Sequence, residues 1–211
     1  MAAPTRTTLV IDAGDLPSLV AALLQPDPAR VVLWHPRATG PAAAAQAACA
    51  RSHRGLLDDA PLFETEAWIP PSGCAPTRAL ERGLTLTQAA CVGVPLGVER
   101  IVWPIQVGPH VGAVSAAVDQ ATLATELIEA GEGGERRGRL MIDVPFVDLD
   151  ETQILDLADD AGAPPAYWPC RLGEPEPCGG CEECGRWLAA HDRLGLPWPW
   201  SRATTTAGAE P

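Results

Sequence analysis

Short extended runs alternate with helical stretches along this chain, and that alternation restricts the fold more than any other feature. Residues 7–11 form a β-branched run that reads as a buried strand. Residues 31–34, 64–69 (closed by Pro70 and Pro71), 100–103 and 140–144 supply four more candidates. Helical patterns over 16–25, 41–51, 77–92 and 114–130 lie between them. Asp15 is placed to cap the first helix, with Pro17 in its first turn. Asp150 caps a further helix running to Asp160, Gln153 completes a capping box, and Gly162 follows its end. Strands alternating with helices across short connections predict an open, mostly parallel Rossmann-like α/β sheet, with helices on both faces and right-handed crossovers. This domain is expected over residues 1–165, a segment with a short helix (185–194) over 166–196, and a Pro/Trp-rich, partly disordered tail over 197–211. Trp198 and Trp200 in that tail either cap a core edge or meet a partner.

Cys170, Cys178, Cys181 and Cys184 are spaced C-x7-C-x2-C-x2-C. Thiolates two residues apart converge on one ion, because a tight turn aims both sulfurs inward, and four of them close a tetrahedral structural zinc shell. Two disulfides would suit a small secreted domain, a redox pair needs only two cysteines, and an iron–sulfur cluster also takes four thiolates. The chain has seven cysteines and opens without the basic-then-apolar layout of a signal peptide. Metal ligands plus reduced thiols in a cytoplasmic protein are therefore expected, with Cys49, Cys74 and Cys91 as small buried hydrophobes.

The 15 basic residues are all Arg, and the formal charge is −12. Nucleic-acid binding needs positive potential, so the charge argues against it, and the glutamates around Arg171, Arg186 and Arg193 argue against a nucleic-acid role for the cysteine segment. The chain has no lysine for a Schiff base, a P-loop phosphate contact or other amine chemistry. No apolar run approaches the roughly 20 residues of a membrane helix. His110, His35, His53 and His191 have no evident carboxylate partner in the sequence and are read as solvated, so no catalytic residue is assigned.

From Pro145 the text runs Pro-Phe-Val-Asp-Leu-Asp-Glu-Thr-Gln-Ile, then Trp168-Pro-Cys170, then Cys178-Gly-Gly-Cys181-Glu-Glu-Cys184. It resembles the end of the 7-cyano-7-deazaguanine synthases, queuosine-pathway enzymes of the PP-loop ATP pyrophosphatase group. The resemblance implies an adenine nucleotide alpha hydrolase-like sheet and a structural Zn²⁺ on the four cysteines. It also implies ATP- and Mg²⁺-dependent conversion of 7-carboxy-7-deazaguanine to the nitrile, a carbon–nitrogen ligase reaction. The implied ligand is a deazapurine or nucleotide; apart from the resemblance, a second copy of the chain or a paralogue is the protein partner expected. The family writes its phosphate loop Ser-Gly-Gly-x-Asp-Ser. Here the same place reads Asp12-Ala13-Gly14-Asp15-Leu16-Pro17-Ser18, with only Gly14 in register and Ser18 one position late. Asp12 and Asp15 are expected to put like charge where phosphate would lie. The family lysine of the late helix falls at Glu151, its Arg-Asn pair at Arg82-Gly83, and its substrate motif has no counterpart in residues 106–115. The alternative reading is a non-catalytic relative that keeps fold and zinc and binds a deazapurine or a protein.

Overall fold

The computed structural model describes residues 8–37, 39–67, 78–131, 140–172 and 176–200, apart from the side chains of Arg78 and Ala79. Five strands, β1 (Thr8–Ile11), β2 (Val31–Arg37), β3 (Leu62–Glu66), β4 (Arg100–Val102) and β5 (Met141–Asp143), form one sheet in the order β3-β2-β1-β4-β5. Every pairing is parallel, with Thr8 opposite both Val31 and Arg100. Leu9 and Val10, and Val31 to Trp34 on the neighbouring strand, are buried on both faces. That explains why these strands read as continuous apolar runs rather than alternating ones.

Helices α1 (Leu16–Leu23), α2 (Ala43–Leu56), α3 (Arg78–Gly93), α4 (Val111–Gly131), α5 (Glu151–Asp160) and α6 (Glu182–Leu194) connect and cover the sheet. One core joins Val10, Leu33 and Val102 to Leu16, Leu19 and Val20 of α1, Ile154 and Leu155 of α5, and Trp187 and Ala190 of α6. The opposite face joins Leu9, Ile11 and Trp34 to Leu86 and Ala89 of α3 and Ala121 of α4. The sheet is therefore covered on both sides, as the alternation predicts. The capping box at Asp150 and Gln153 is formed, with both reciprocal bonds at 2.9 Å.

Three expectations shift. Helix α2 runs five residues past the predicted end at Arg51, because Ala47, Ala50 and His53 continue its buried face. Strand β3 is Leu62–Glu66, where pairing with Leu33 to Arg37 fixes its register, and residues 68–69 lie outside the described residues. Helix α6 begins at Glu182, because Cys181 caps it and accepts from the Cys184 amide. Trp198 and Trp200 pack on the first core, with Trp200 edge-on to Tyr167 and Trp198 edge-on to the His191 ring. This is the core-edge role. Cys74, the 131–138 loop in all but its first residue, and the tail beyond residue 200 lie outside the described residues. No helix among the described residues is long and apolar enough to cross a membrane.

Candidate functional site

The loop between β1 and α1 is held by its own side chains. Asp15 caps α1 in extended conformation, accepting from the Ser18 amide at 3.0 Å and the Ser18 hydroxyl at 2.5 Å, both on Oδ1. Ser18 Oγ in turn accepts from the Ala13 amide at 3.0 Å, and the Gly14 amide donates to Asp12 Oδ1 at 2.8 Å. Donors that a phosphate would use are thus taken within the loop. Gly14 has φ +73°, and a Cβ there would sit 2.2 Å from the Gln46 carbonyl oxygen, so α2 seats directly on the loop and no larger residue fits.

Asp12 does not face the ligand side. It is 0% exposed, and its carboxylate oxygens lie 3.0 and 3.1 Å from His53 Nδ1 on α2. The other ring nitrogen, Nε2, lies 2.5 Å from the carbonyl oxygen of Ala166. With Asp12 ionised both partners are acceptors, and the ring then donates from both nitrogens as an imidazolium paired with a carboxylate. Burial alone would lower the His53 pKa. The hydrogen bond and charge of Asp12, helped by the Ala166 carbonyl and Asp15, outweigh it and raise the pKa above the ordinary histidine value. The expected like-charge pair is therefore corrected: Asp12 is neutralised behind the loop, and Asp15 alone of the two faces outward.

The histidine expectation holds only for His110, which is exposed ahead of α4. His35 is buried on β2 and donates from Nδ1 to the Asp12 carbonyl at 2.7 Å. His191 is buried on α6 and meets the Tyr167 hydroxyl at 2.8 Å. His53 is separated from Asp12 by 41 positions, a distance no spacing rule reveals. The available signal was helical: Ala47, Ala50 and His53 recur at three-residue steps on one face of α2.

The strand order reverses between β1 and β4, and ligands of open α/β sheets bind in the crevice at that switch point. A cleft of about 650 Å³ opens there, lined by Ile11, Ala13, Asp15 and Ser18 from the β1 end and by Trp103, Pro104 and Ile105 from the β4 end. Arg82 and Glu81 of α3 form one wall and Gln46 of α2 another. An adjoining cleft of about 700 Å³ shares Ala13, Asp15, Arg82 and Arg171, and reaches Trp168, Cys170 and Trp187. Of the loop positions singled out in the sequence, Ala13 and Ser18 reach this space, whereas Asp12 and Gly14 support it from behind. The charge reversal at Glu151 is balanced by Arg186 at 3.0 Å, and Arg171 pairs with Glu183 at 2.7 Å.

The cysteine sulfurs of Cys170, Cys178, Cys181 and Cys184 all lie within 4.8 Å of one another. Four sulfurs about 2.3 Å from one tetrahedral ion stand roughly 3.8 Å apart, so the cluster fits a single ion. Cys181 Sγ is 4.0 Å from Cys170 Sγ, about twice a disulfide bond length. Backbone amides of Leu172 and Cys178 point at Cys170 Sγ, that of Cys181 at Cys178 Sγ, and that of Cys184 at Cys181 Sγ, at 3.3–3.4 Å. Such donors, with the N-terminus of α6, favour sulfur as thiolate. Burial, with hydrogen bonds to the neighbouring cysteines, pushes the Cys184 thiol up, so metal binding there would have to displace its proton. These residues could bind one metal ion. The remaining cysteines differ from expectation in part: Cys91 is exposed on α3, and Cys49 is half-buried beside the knuckle. Burial and the charges of Asp12 and Asp15 raise the Cys49 pKa to about 11, which favours the thiol over the thiolate.

No protein-family model matches the chain. A stretch of 71 residues is 35% identical to a 7-cyano-7-deazaguanine synthase of Trichodesmium erythraeum (strain IMS101), covering 31% of this chain and 32% of that protein. A stretch of 106 residues is 28% identical to a 7-cyano-7-deazaguanine synthase of Nostoc punctiforme (strain ATCC 29133 / PCC 73102), covering 49% of this chain and 47% of that protein. The matches thus span less than half the length of these curated relatives. These distant, partial likenesses support kinship with 7-cyano-7-deazaguanine synthases.

Proposed function

We propose that this chain is a zinc-bearing relative of the 7-cyano-7-deazaguanine synthases that binds a deazapurine in the β1–β4 cleft and has lost nucleotide chemistry. One observation carries the reading: the β1–α1 loop spends the Ala13 and Gly14 amides and the Ser18 amide and hydroxyl on its own side chains. A phosphate oxygen entering there would have to displace those bonds and approach the Asp15 carboxylate. Two unit charges 4 Å apart repel by about 4 kcal/mol at an effective dielectric near 20. The four cysteines would hold Zn²⁺, which the all-thiolate tetrahedral set suits, and the ion would fix the knuckle that forms one wall of the second cleft. Its role is structural: four protein ligands leave it no open position for substrate.

The ATP-dependent ligase reading keeps one observation in its favour, the open cleft with Arg82 and Arg171 on its walls. Calorimetry separates the two. The expected result is binding of 7-deazaguanine or 7-carboxy-7-deazaguanine with no heat from ATP and Mg²⁺ at millimolar concentration. Tight ATP binding with release of pyrophosphate would restore the ligase, and failure of every deazapurine to bind would remove the proposal.

A further inference from the structure

We infer that Asp15 makes the loop after β1 a reader of paired N–H donors, so that the 2-amino-4-oxopyrimidine edge of the ligand lies where a phosphate-binding loop would hold an anion. The inference rests on the deazapurine reading above and names the orientation and the specificity residue within that site.

Asp15 receives two hydrogen bonds, both from Ser18 and both on Oδ1, which leaves Oδ2 without a donor among the described residues. The residue is half-buried and lines both clefts. An ionised carboxylate only accepts, so its complement is a group that donates, and two adjacent N–H donors suit it best. The carboxylate of Asp12, which would otherwise compete, is neutralised by His53 behind the loop. The other charged groups around the first cleft are Glu81 and Arg82 on α3 and Arg171 ahead of the knuckle, and the adjoining cleft adds Asp150 and Glu151 at the start of α5 and Glu182, Glu183 and Arg186 of α6.

The rest of the cleft suits a flat ring. Trp103, Ile11 and Pro104 give an apolar surface at the strand ends, next to the Asp15 side chain. Trp168, on the wall of the adjoining cleft, is only 7% exposed, and its indole Nε1 has no acceptor among the described residues. Its main chain is tied to the loop through the Gly14 carbonyl at 2.9 Å. A ring that donates at one edge and carries a carbonyl beside it answers both groups; an anion answers neither Asp15 nor the apolar surface.

Burial raises the Asp15 pKa, against the Ser18 hydrogen bonds that lower it. Protonation would cost the site one acceptor, so affinity should fall as pH drops through that raised value. The decisive variant is Asp15→Asn. Asparagine caps helices as well as aspartate does, so the fold is retained, but one oxygen becomes an amino group that repels N–H donors. Calorimetry on the metal-loaded full chain should show 7-deazaguanine bound at least tenfold more tightly than 7-deazaadenine, which lacks the 2-amino group. D15N should lose at least tenfold in 7-deazaguanine affinity and flatten the acid side of the pH profile, with a melting temperature near that of the parent. Parent-like 7-deazaguanine binding by D15N, or equal binding of the two rings by the parent, would overturn this assignment while leaving the deazapurine reading intact. If neither ring binds, both fall together.

Discussion

At the scale of single residues, the Asp12–His53 pair is the strongest determinant of the β1–α1 loop. Both side chains are 0–1% exposed, so removing one partner strands a buried charge. His53→Ala should therefore cost about 3–5 kcal/mol, the range for breaking a buried pair, as read by urea denaturation. The pH dependence has a defined sign. The folded-state pKa of His53 lies above its unfolded value near 6.5, so its stabilisation is complete below that value and fades as pH rises through the raised one. Melting temperatures taken from pH 6 upward should show this decline in the parent and not in His53→Ala. Gly14 is the second strict position. Gly14→Ala combines a left-handed φ, worth about 1–2 kcal/mol, with a Cβ driven into the backbone of Gln46, so the variant should be poorly soluble or strongly destabilised. The sequence made Gly14 and the loop's acidity legible, because turn chemistry is local. It hid the Asp12–His53 pair, because only the packing of α2 against β1 brings those residues together.

At the scale of elements, the best-read features are those set by neighbours in sequence. The Asp150–Gln153 capping box spans three residues and is formed as expected, so Asp150→Ala should cost about 1 kcal/mol without changing the fold. The sequence pattern alone puts strand β3 two to three residues late, because its ends are set by register with β2, a long-range fact. Its sequence, Leu-Phe-Glu-Thr-Glu, belongs to a sheet-edge strand with an exposed Phe63 and carries a weak signal of its own. The knuckle lies between these cases: its four cysteines are local in sequence, and their convergence is seen in the sulfur distances. Metal binding here must displace protons from thiols, and burial already pushes Cys184 up. Affinity for Zn²⁺ should therefore fall steeply as pH is lowered, with proton release on titration. Well under one zinc per chain in elemental analysis, or unchanged stability in Cys178→Ser, would remove the structural-site assignment.

At the scale of the whole molecule, the alternation of strands and helices was enough to anticipate a parallel sheet covered on both faces, but not how the C-terminal segment joins it. The sequence divides at about residue 165, where the helical pattern ends and the cysteines begin. In the folded chain that division is not one of packing. Trp187 and Ala190 of α6 share a core with Val10, Leu19 and Ile154, and Trp198 and Trp200 close its edge. Tyr167 lies between them, 5.2 Å from the Trp187 ring and 4.8 Å from that of Trp200. Ala166 is also tied to the sheet through His53. An independent zinc module would melt in its own transition, leaving the α/β layer intact when the metal is withdrawn. A shared core predicts the opposite: chelation lowers the midpoint of the entire chain, and the transitions followed by tryptophan fluorescence and by far-ultraviolet circular dichroism coincide. Tryptophan fluorescence is a fair reporter of both parts, since Trp34 and Trp103 lie in the second core and Trp187 in the first. Two separated transitions, with the circular dichroism signal surviving chelation, would show that residues 166–196 fold apart from the sheet. That result would also weaken the binding proposal, because the wall of the adjoining cleft at Trp168 and Cys170 would no longer be fixed against the β1–α1 loop.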